Sequence, residues 1–443
     1  MSVSPNTFQS QVSSASDFIW ELFLPLILIT SLYIGFKCFF VIKGKTTRRS
    51  GMTFRQFLGP TSISLGAMVG TGAIIGILGA LNKYAAAGQH YIEAMVFWTL
   101  IGCIIMLPLA YAETLFSKTM NKAPASMINV FLGRKAAIVY SLAFVCLYVF
   151  GFGGFQFSGI SSILSMMSAQ YIHFEFDTLG RYLVFVIPLV LITTGIILLK
   201  KHEVFIHSMA GMIGSAVFMY FVFFIVFIAK TSDYLPVFFS NMLVDIKNPV
   251  TMATGIPLGI LLALQRIAQT AECGIGGLSM AAHENDSKPR AAAIISVIPV
   301  IITIFVAIIV TTYISSYGIF TGSISFPSDD YTRRKGLFNT VYLVTGNFGL
   351  IVLALFTFLS GATTLLGSYY YVKVLLYKNT ENKNILIFFI LILSAGTLST
   401  FGFSIVFDIV DMLIFIVTGL YVISLAKYAR KGWKGYILPD KKQ

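Results

Sequence analysis

The sequence predicts an all-α integral membrane protein of about eleven transmembrane helices, one standing apart and ten dividing five and five. Three observations predict this. The chain is 57% hydrophobic and 11% charged, with a mean hydropathy of +0.84, whereas soluble domains average roughly 25% charged residues. Apolar runs long enough to cross a bilayer, which takes about 20 residues, recur along its whole length. Two of these runs, each opening a group of five, are interrupted by glycine or proline.

A polar stretch, 1–17, comes first and carries no cationic segment of the kind that opens a cleavable signal peptide, so none is expected. The run at 18–42 forms a peripheral transmembrane helix. The first five-helix unit, 59–230, holds runs at 59–82, 92–116, 136–168, 180–199 and 205–230. The second, 250–427, holds 250–282, 291–318, 345–375, 384–401 and 405–427, and a basic tail, 428–443, closes the chain. Runs above 25 residues are expected to tilt, break or extend beyond the membrane. The longest polar loops, 231–249 and 319–344, are expected to form outer caps or partial helices.

Charge fixes a topology. With the N-terminus outside, inner segments hold 22 Lys and Arg and outer segments seven, from Lys83 to Lys335. The positive-inside bias therefore puts the C-terminus in the cytoplasm of a multi-pass protein of the cell (plasma or inner) membrane. The net charge of +13 does not point to nucleic acid, because the basic residues lie in short loops and not on one face. Cys38, Cys103, Cys146 and Cys273 lie in apolar segments without metal or disulfide spacing and read as packing residues. The five histidines form no motif, so neither an enzyme nor a cofactor is implied. A Phe-rich lipid-facing surface is expected to account for most of the aromatic content, which includes 40 phenylalanines.

Residues 66–76, GAMVGTGAIIG, place four glycines inside a membrane run. Each glycine in a helix interior costs up to ~1 kcal/mol relative to alanine. A dinucleotide loop is excluded: Gly70, Gly72 and Gly76 are spaced one residue too long, and no strand precedes them. Gly66/Gly70 and Gly72/Gly76 each form a GxxxG pair suited to close helix packing. The remaining reading is a helix broken near Val69–Ala73. Unwound backbone at membrane depth must line a cavity or be buried in protein. There an exposed helix N-terminus attracts a carboxylate, and freed carbonyls can hold Na⁺. The run at 250–282 carries a second interruption, at Gly255, Pro257 and Gly259 and again at Gly274, Gly276 and Gly277. Matched breaks in two halves mark the substrate site of an inverted-repeat transporter.

Six stretches then carry a resemblance. MVGTGAIIGI resembles the VGTGNIxGV signature of the alanine or glycine:cation symporter family. FWTLIGCIIMLPLAYAE (97–113) is similar to its FWMW…AE helix, RIAQTAECGIGG (266–277) to RGxFSNEAGxGS, and ATTLLGSYYY (362–371) to FTTLLGWYYY. Gln156, in FGGFQFSG, matches the glutamine of the family's QANS segment, and DFIW (17–20) fits its opening helix. The resemblance covers about 17–380. It implies a leucine-transporter-type fold, a five-plus-five inverted repeat preceded by one helix, and cation-driven uptake of alanine or glycine, including the D-isomer. The coupling ion implied is Na⁺, with H⁺ as the alternative. The chain departs from the pattern at Ala73 and Ala271, where the family has Asn, at Gly277 for Ser, at Ser368 for Trp, and at Val372-Lys373 for Gly-Glu. A larger neutral amino acid with altered coupling, or a non-transporting sensor on the same fold, are the alternatives these departures leave open.

The resemblance and the chemistry together give the expected site. Thr71, Gly72 and Ala73 would bind the substrate carboxylate, joined by Gln156, which can donate and accept, and by Ser368 where a pocket wall is enlarged. Na⁺ would be held by Gly66 and Val69 carbonyls and by Thr363 and Thr364, oxygen ligands that suit a hard cation. Alternatively the bend only packs, Gln156 bridges helices, and the threonines bond their own i−4 carbonyls. Charges inside a membrane run pair or face a cavity, so Arg266 is expected to pair with Glu272 or Glu113 in an inner gate or scaffold. Asp408 and Asp411, three residues apart in the last run, are expected to be interfacial and solvated.

Overall fold

The computed structural model describes residues 5–43, 54–199, 201–244, 249–284, 286–375, 381–398 and 403–431. The basic tail, 428–443, therefore lies mostly outside the described residues. The rest is helical: α1 (Pro5–Lys43), α2 (Phe54–Met68), α3 (Gly72–Ala86), α4 (Ala94–Met120), α5 (Pro124–Leu132), α6 (Arg134–Tyr171), α7 (Thr178–Leu198) and α8 (His202–Lys230). Then follow α9 (Leu235–Met242), α10 (Pro249–Ala271), α11 (Gly277–Ala282), α12 (Pro289–Phe320), α13 (Asp330–Leu375), α14 (Glu381–Leu398) and α15 (Phe403–Lys431). Within the described residues, every apolar run read from the sequence falls on one of these helices or, at 59–82 and 250–282, on two helices with a break between them. Among the described residues, seven helices are long and apolar enough to cross a membrane, or nine if each of two bent pairs is one span. Two shorter apolar helices, Leu258–Ala271 within α10 and Ile385–Thr397 within α14, fall under that length.

Local chemistry sets the ends. Pro124 and Pro289 open α5 and α12 at the first helical position, where the missing N–H costs no bond. α4 stops at Asn121, in the left-handed conformation (φ 51°). The polar loops do contain partial helices: α9 in 231–249, and the first part of α13, which breaks from the rest at Gly346 (φ 62°). Ile104, Leu142, Phe218 and Leu343 are 64–72% exposed on helix flanks, which gives the bundle an apolar outside that only lipid can cover.

Helix α2 lies at the centre, packed on α8, α12 and α13. Gly367 of α13 allows the approach, since a Cβ there would lie 2.8 Å from that of Ala67. Helix α1 stands aside, packed on α4 and α15. The interruption in 250–282 is corrected in one respect. Gly255, Pro257 and Gly259 do not break α10, which runs on to Ala271. Gly259 is a contact glycine: a Cβ there would lie 2.4 Å from the Trp98 ring. The break falls at 272–276, where Glu272, Gly274 and Gly276 have φ of 52°, 79° and 108°. Glycine takes the last two at little cost, whereas Glu272 carries strain of ~1–2 kcal/mol.

Candidate functional site: two helix breaks and the cavity beside them

Helix α2 ends at Met68, α3 begins at Gly72, and the two are bent by 44°. The hydrogen bonds change accordingly. Ala73 N–H bonds Gly70 O (3.0 Å) in place of Val69 O. Among the described residues the N–H groups of Gly70 and Gly72 donate no hydrogen bond. The break thus frees amide donors at the start of α3 and carbonyl acceptors at the end of α2, both buried inside the bundle.

A side chain on Gly70 would displace its neighbours. A Cβ would lie 2.6 Å from both Gln156 Nε2 and Thr364 Oγ1. Gly159 on α6 performs the same service for Thr71, whose Cβ would be 2.4 Å away. Thr71 is accordingly clamped: its N–H donates to Gln156 Oε1 (2.7 Å) and its hydroxyl to Phe155 O (2.7 Å). Two residues expected as substrate contacts therefore hold each other. The N–H groups left for a carboxylate are those of Gly70 and Gly72.

A cavity of about 20 Å³ opens beside the break, between Gly70, Gly72 and Ala73 on one side and Phe155 and Gln156 on the other. That is room for roughly one water, so an amino acid enters only if the walls part. α10 closes it with Gln269 and Thr270, which the sequence reading did not single out. Nothing in their local sequence announces them; only the packing of α10 on α3 brings them there.

Thr364, which also lines the cavity, gathers a cluster of oxygens at the break. Thr364 Oγ1 lies 3.1 Å from Gly66 O, 3.4 Å from Val69 O and 3.0 Å from Ser360 O. One hydroxyl proton cannot serve three carbonyls. Such an excess of neutral oxygens fits a hard cation. Thr363 bonds Ser360 O of its own helix (2.9 Å), while its Cβ packs 3.3 Å from where a Gly66 Cβ would stand. Ser360 is a further residue the sequence reading missed, because it contributes only a backbone oxygen. Ser368 lies one turn on, fully buried, and is not among the residues lining the cavity. Its hydroxyl bonds Thr364 O (2.8 Å) and Tyr148 O (3.1 Å). Tyr148 stands in a π-helical stretch of α6, Leu147–Phe152, where widened turns leave carbonyls for such bonds.

The charges are arranged differently from expectation. Arg266 pairs with Asp411 of α15 (2.6 Å), both 1% exposed at the side chain, and not with Glu113 or Glu272. Its guanidinium also bonds Gln269 and lies 4.5 Å over the Phe407 ring. Asp408 is buried too and pairs with Lys83 of α3 (3.3 Å). The expected solvated aspartates are thus both buried in ion pairs, because α15 turns this face onto α3 and α10 and not outward. Glu113 and Glu272 belong to the second break. Glu113 Oε2 accepts from Gly274 N (2.8 Å), and the Glu272 carboxylate lies 3.5 Å from the Tyr371 hydroxyl. These contacts, with Tyr140 donating to Ile275 O (2.8 Å), tie the unwound segment to α4, α6 and α13.

No curated protein matches the sequence. Among solved structures, the fold is similar to that of a Na⁺-coupled sialic acid symporter in a substrate-bound outward-open state. The TM-score is 0.56 and the identity 13%, over 93% of this chain and 86% of that one. The description of the sodium:alanine symporter family matches residues 6–440. The chain belongs to the sodium:alanine symporter family, a family of membrane transporters and not of enzymes.

Proposed function

We propose that this protein carries a small neutral amino acid, glycine or alanine, the latter as its L- or D-isomer, together with Na⁺ by alternating access. The two units, 59–230 and 250–427, act as leucine-transporter-type inverted repeats, with 18–42 outside them, the N-terminus outside the cell and the C-terminus in the cytoplasm. Gly70 and Gly72 N–H groups receive the substrate carboxylate, aided by the dipole of α3. Thr71 and Gln156 position that loop, and Ala73 leaves the wall apolar. Gly66, Val69, Ser360 and Thr364 oxygens, with Thr363 beside them, hold the Na⁺. Arg266, Glu113 and Glu272 act as scaffold charges that fix where α10 and its break meet α15, α4 and α13.

One observation carries this reading: the Thr364 hydroxyl meets the carbonyls of Gly66 and Val69 at the break that also borders the cavity. Ion and substrate would then stabilise the same bent backbone, which couples their binding. Neutral oxygens favour Na⁺ over H⁺, because none of them takes a proton near neutral pH. Calorimetric titration of the purified protein with alanine and glycine, in Na⁺ and in choline, tests this. Binding is expected in Na⁺ and to weaken at least tenfold in choline; equal affinity in both would refute the coupling.

A further inference from the structure

Gln269 lies on the last turn of α10, 5% exposed, and borders the cavity. Its Oε1 accepts from Arg266 Nη1, and Arg266 is itself held through Nη2 by Asp411. A guanidinium only donates. The amide must therefore turn its oxygen to Arg266, and its NH₂ must point elsewhere. That Nε2 is buried and has no partner among the described residues, a costly state in a membrane interior. Gly76 of α3 faces the carboxamide, where a Cβ would lie 3.4 Å from Oε1 and 3.8 Å from Nε2, so the glycine leaves that face of the amide uncovered by a side chain. The motif RGxFSNEAGxGS quoted above has Phe at this position. Ala271 stands where that motif has Asn, and Ala73 where the VGTGNIxGV signature has Asn. The side-chain amides at those two positions are thus gone, and a different one is present.

We infer that Gln269 is a substrate-contacting, specificity-determining residue: its Nε2 donates to an acceptor oxygen of the bound amino acid, and the Arg266–Asp411 pair positions it. This rests on the reading that the cavity takes the transported amino acid. Gln265 adds a second observation. It lies one turn earlier on the same face of α10, is 1% exposed, and both its amide atoms lack partners among the described residues. The two glutamines form a polar stripe leading from the cavity along α10, a wall suited to a path that wets when the cavity opens.

The acceptor oxygen is either the carboxylate, common to all amino acids, or a side-chain hydroxyl. The test is the affinity of the full-length protein for alanine, glycine and serine at saturating Na⁺, in wild type, Gln269→Leu and Gln269→Glu. If Nε2 serves the carboxylate, Gln269→Leu weakens all three about tenfold, the scale of a lost bond to a charged group. If it serves a hydroxyl, serine alone weakens. Gln269→Glu keeps the size and the Arg266 contact, so it folds where the leucine variant does not. It replaces the donor with a negative charge and weakens whichever substrates use that donor at least as much. A folded variant of either kind that binds all three within twofold of wild type overturns the assignment. A wild type that binds none of them overturns the transport reading instead, and needs no variant to show it.

Discussion

Asp411→Asn removes the negative half of the Arg266–Asp411 pair while keeping its shape. The N–O distance is 2.6 Å and both side chains are 1% exposed, so little solvent screening acts. Unit charges about 4 Å apart gain roughly 4 kcal/mol at an effective dielectric near 20. The amide oxygen of asparagine keeps one hydrogen bond to the guanidinium, worth about 1 kcal/mol net. Phe407, 4.5 Å below the guanidinium, still offers a cation–π contact of up to about 2 kcal/mol when desolvated. That contact is present before and after, so it does not offset the change. The expected loss is about 3 kcal/mol, at the lower end of the 3–5 kcal/mol that breaking a buried pair typically costs. Denaturant titration in mild detergent measures it, and the double variant Arg266→Met/Asp411→Leu supplies the control. Removing both charges should recover most of the stability, because the loss comes from a buried cation left without its counter-charge. A single variant within about 1 kcal/mol of wild type, or a double variant no better than the single, would refute the pairing as the reason these residues stand here.

Three further outcomes follow from the same geometry. Thr364→Val keeps the shape of the side chain but removes the oxygen that meets Gly66 and Val69; the apparent Na⁺ affinity, read from Na⁺-dependent alanine binding, should fall at least tenfold with folding little changed. Gly70→Ala pushes a methyl against Gln156 Nε2 and Thr364 Oγ1, both 2.6 Å away; Na⁺ and alanine binding should be lost together, and loss of one alone would contradict a shared break. His283, beyond the end of α11, bonds Ser117 (2.9 Å), and burial, then the charge of Lys118, holds its ring below the ordinary 6.5 against a bond to the Lys122 backbone. A lowered folded value means the neutral ring is favoured, so this stability is complete above 6.5 and is lost as pH falls below it. Melting temperature should drop between about pH 7.5 and about pH 5.5, and His283→Gln should flatten that drop; an unchanged slope counts against the assignment.

Much of the fold was legible because the bilayer leaves few choices. An apolar run of membrane length in a helical membrane protein must be helical, and within the described residues each run is, 59–82 and 250–282 as two helices about a break. The break at Val69–Thr71 was legible because four glycines in eleven residues have no other economical use. Thr364 was legible through its motif. Long-range pairings were not. Arg266 lies six residues from Glu272 and 145 from Asp411, and nothing in sequence says that α15 turns its aspartates inward. Gln269 and Thr270 sat inside a recognised motif yet drew no notice, because their role depends on α10 closing over α3. Ser360 contributes a carbonyl, which every residue has. Gly255 and Pro257 misled for the converse reason: poor helix formers are a weak signal, and the helix runs through them to Ala271.

The central claim is that Na⁺ and a small amino acid move together through the site built on these two breaks. Uptake of labelled alanine and glycine into proteoliposomes tests it most directly, with an inward Na⁺ gradient compared against an inward H⁺ gradient and none. Each Na⁺ entering gains about 2.3 kcal/mol per 100 mV, enough to concentrate a neutral solute some fiftyfold. Accumulation above equilibrium that needs Na⁺, grows with an inside-negative potential and disappears in Thr364→Val is the expected result. Uptake that ignores the Na⁺ gradient, or a folded protein that accumulates neither amino acid under any gradient, would contradict it.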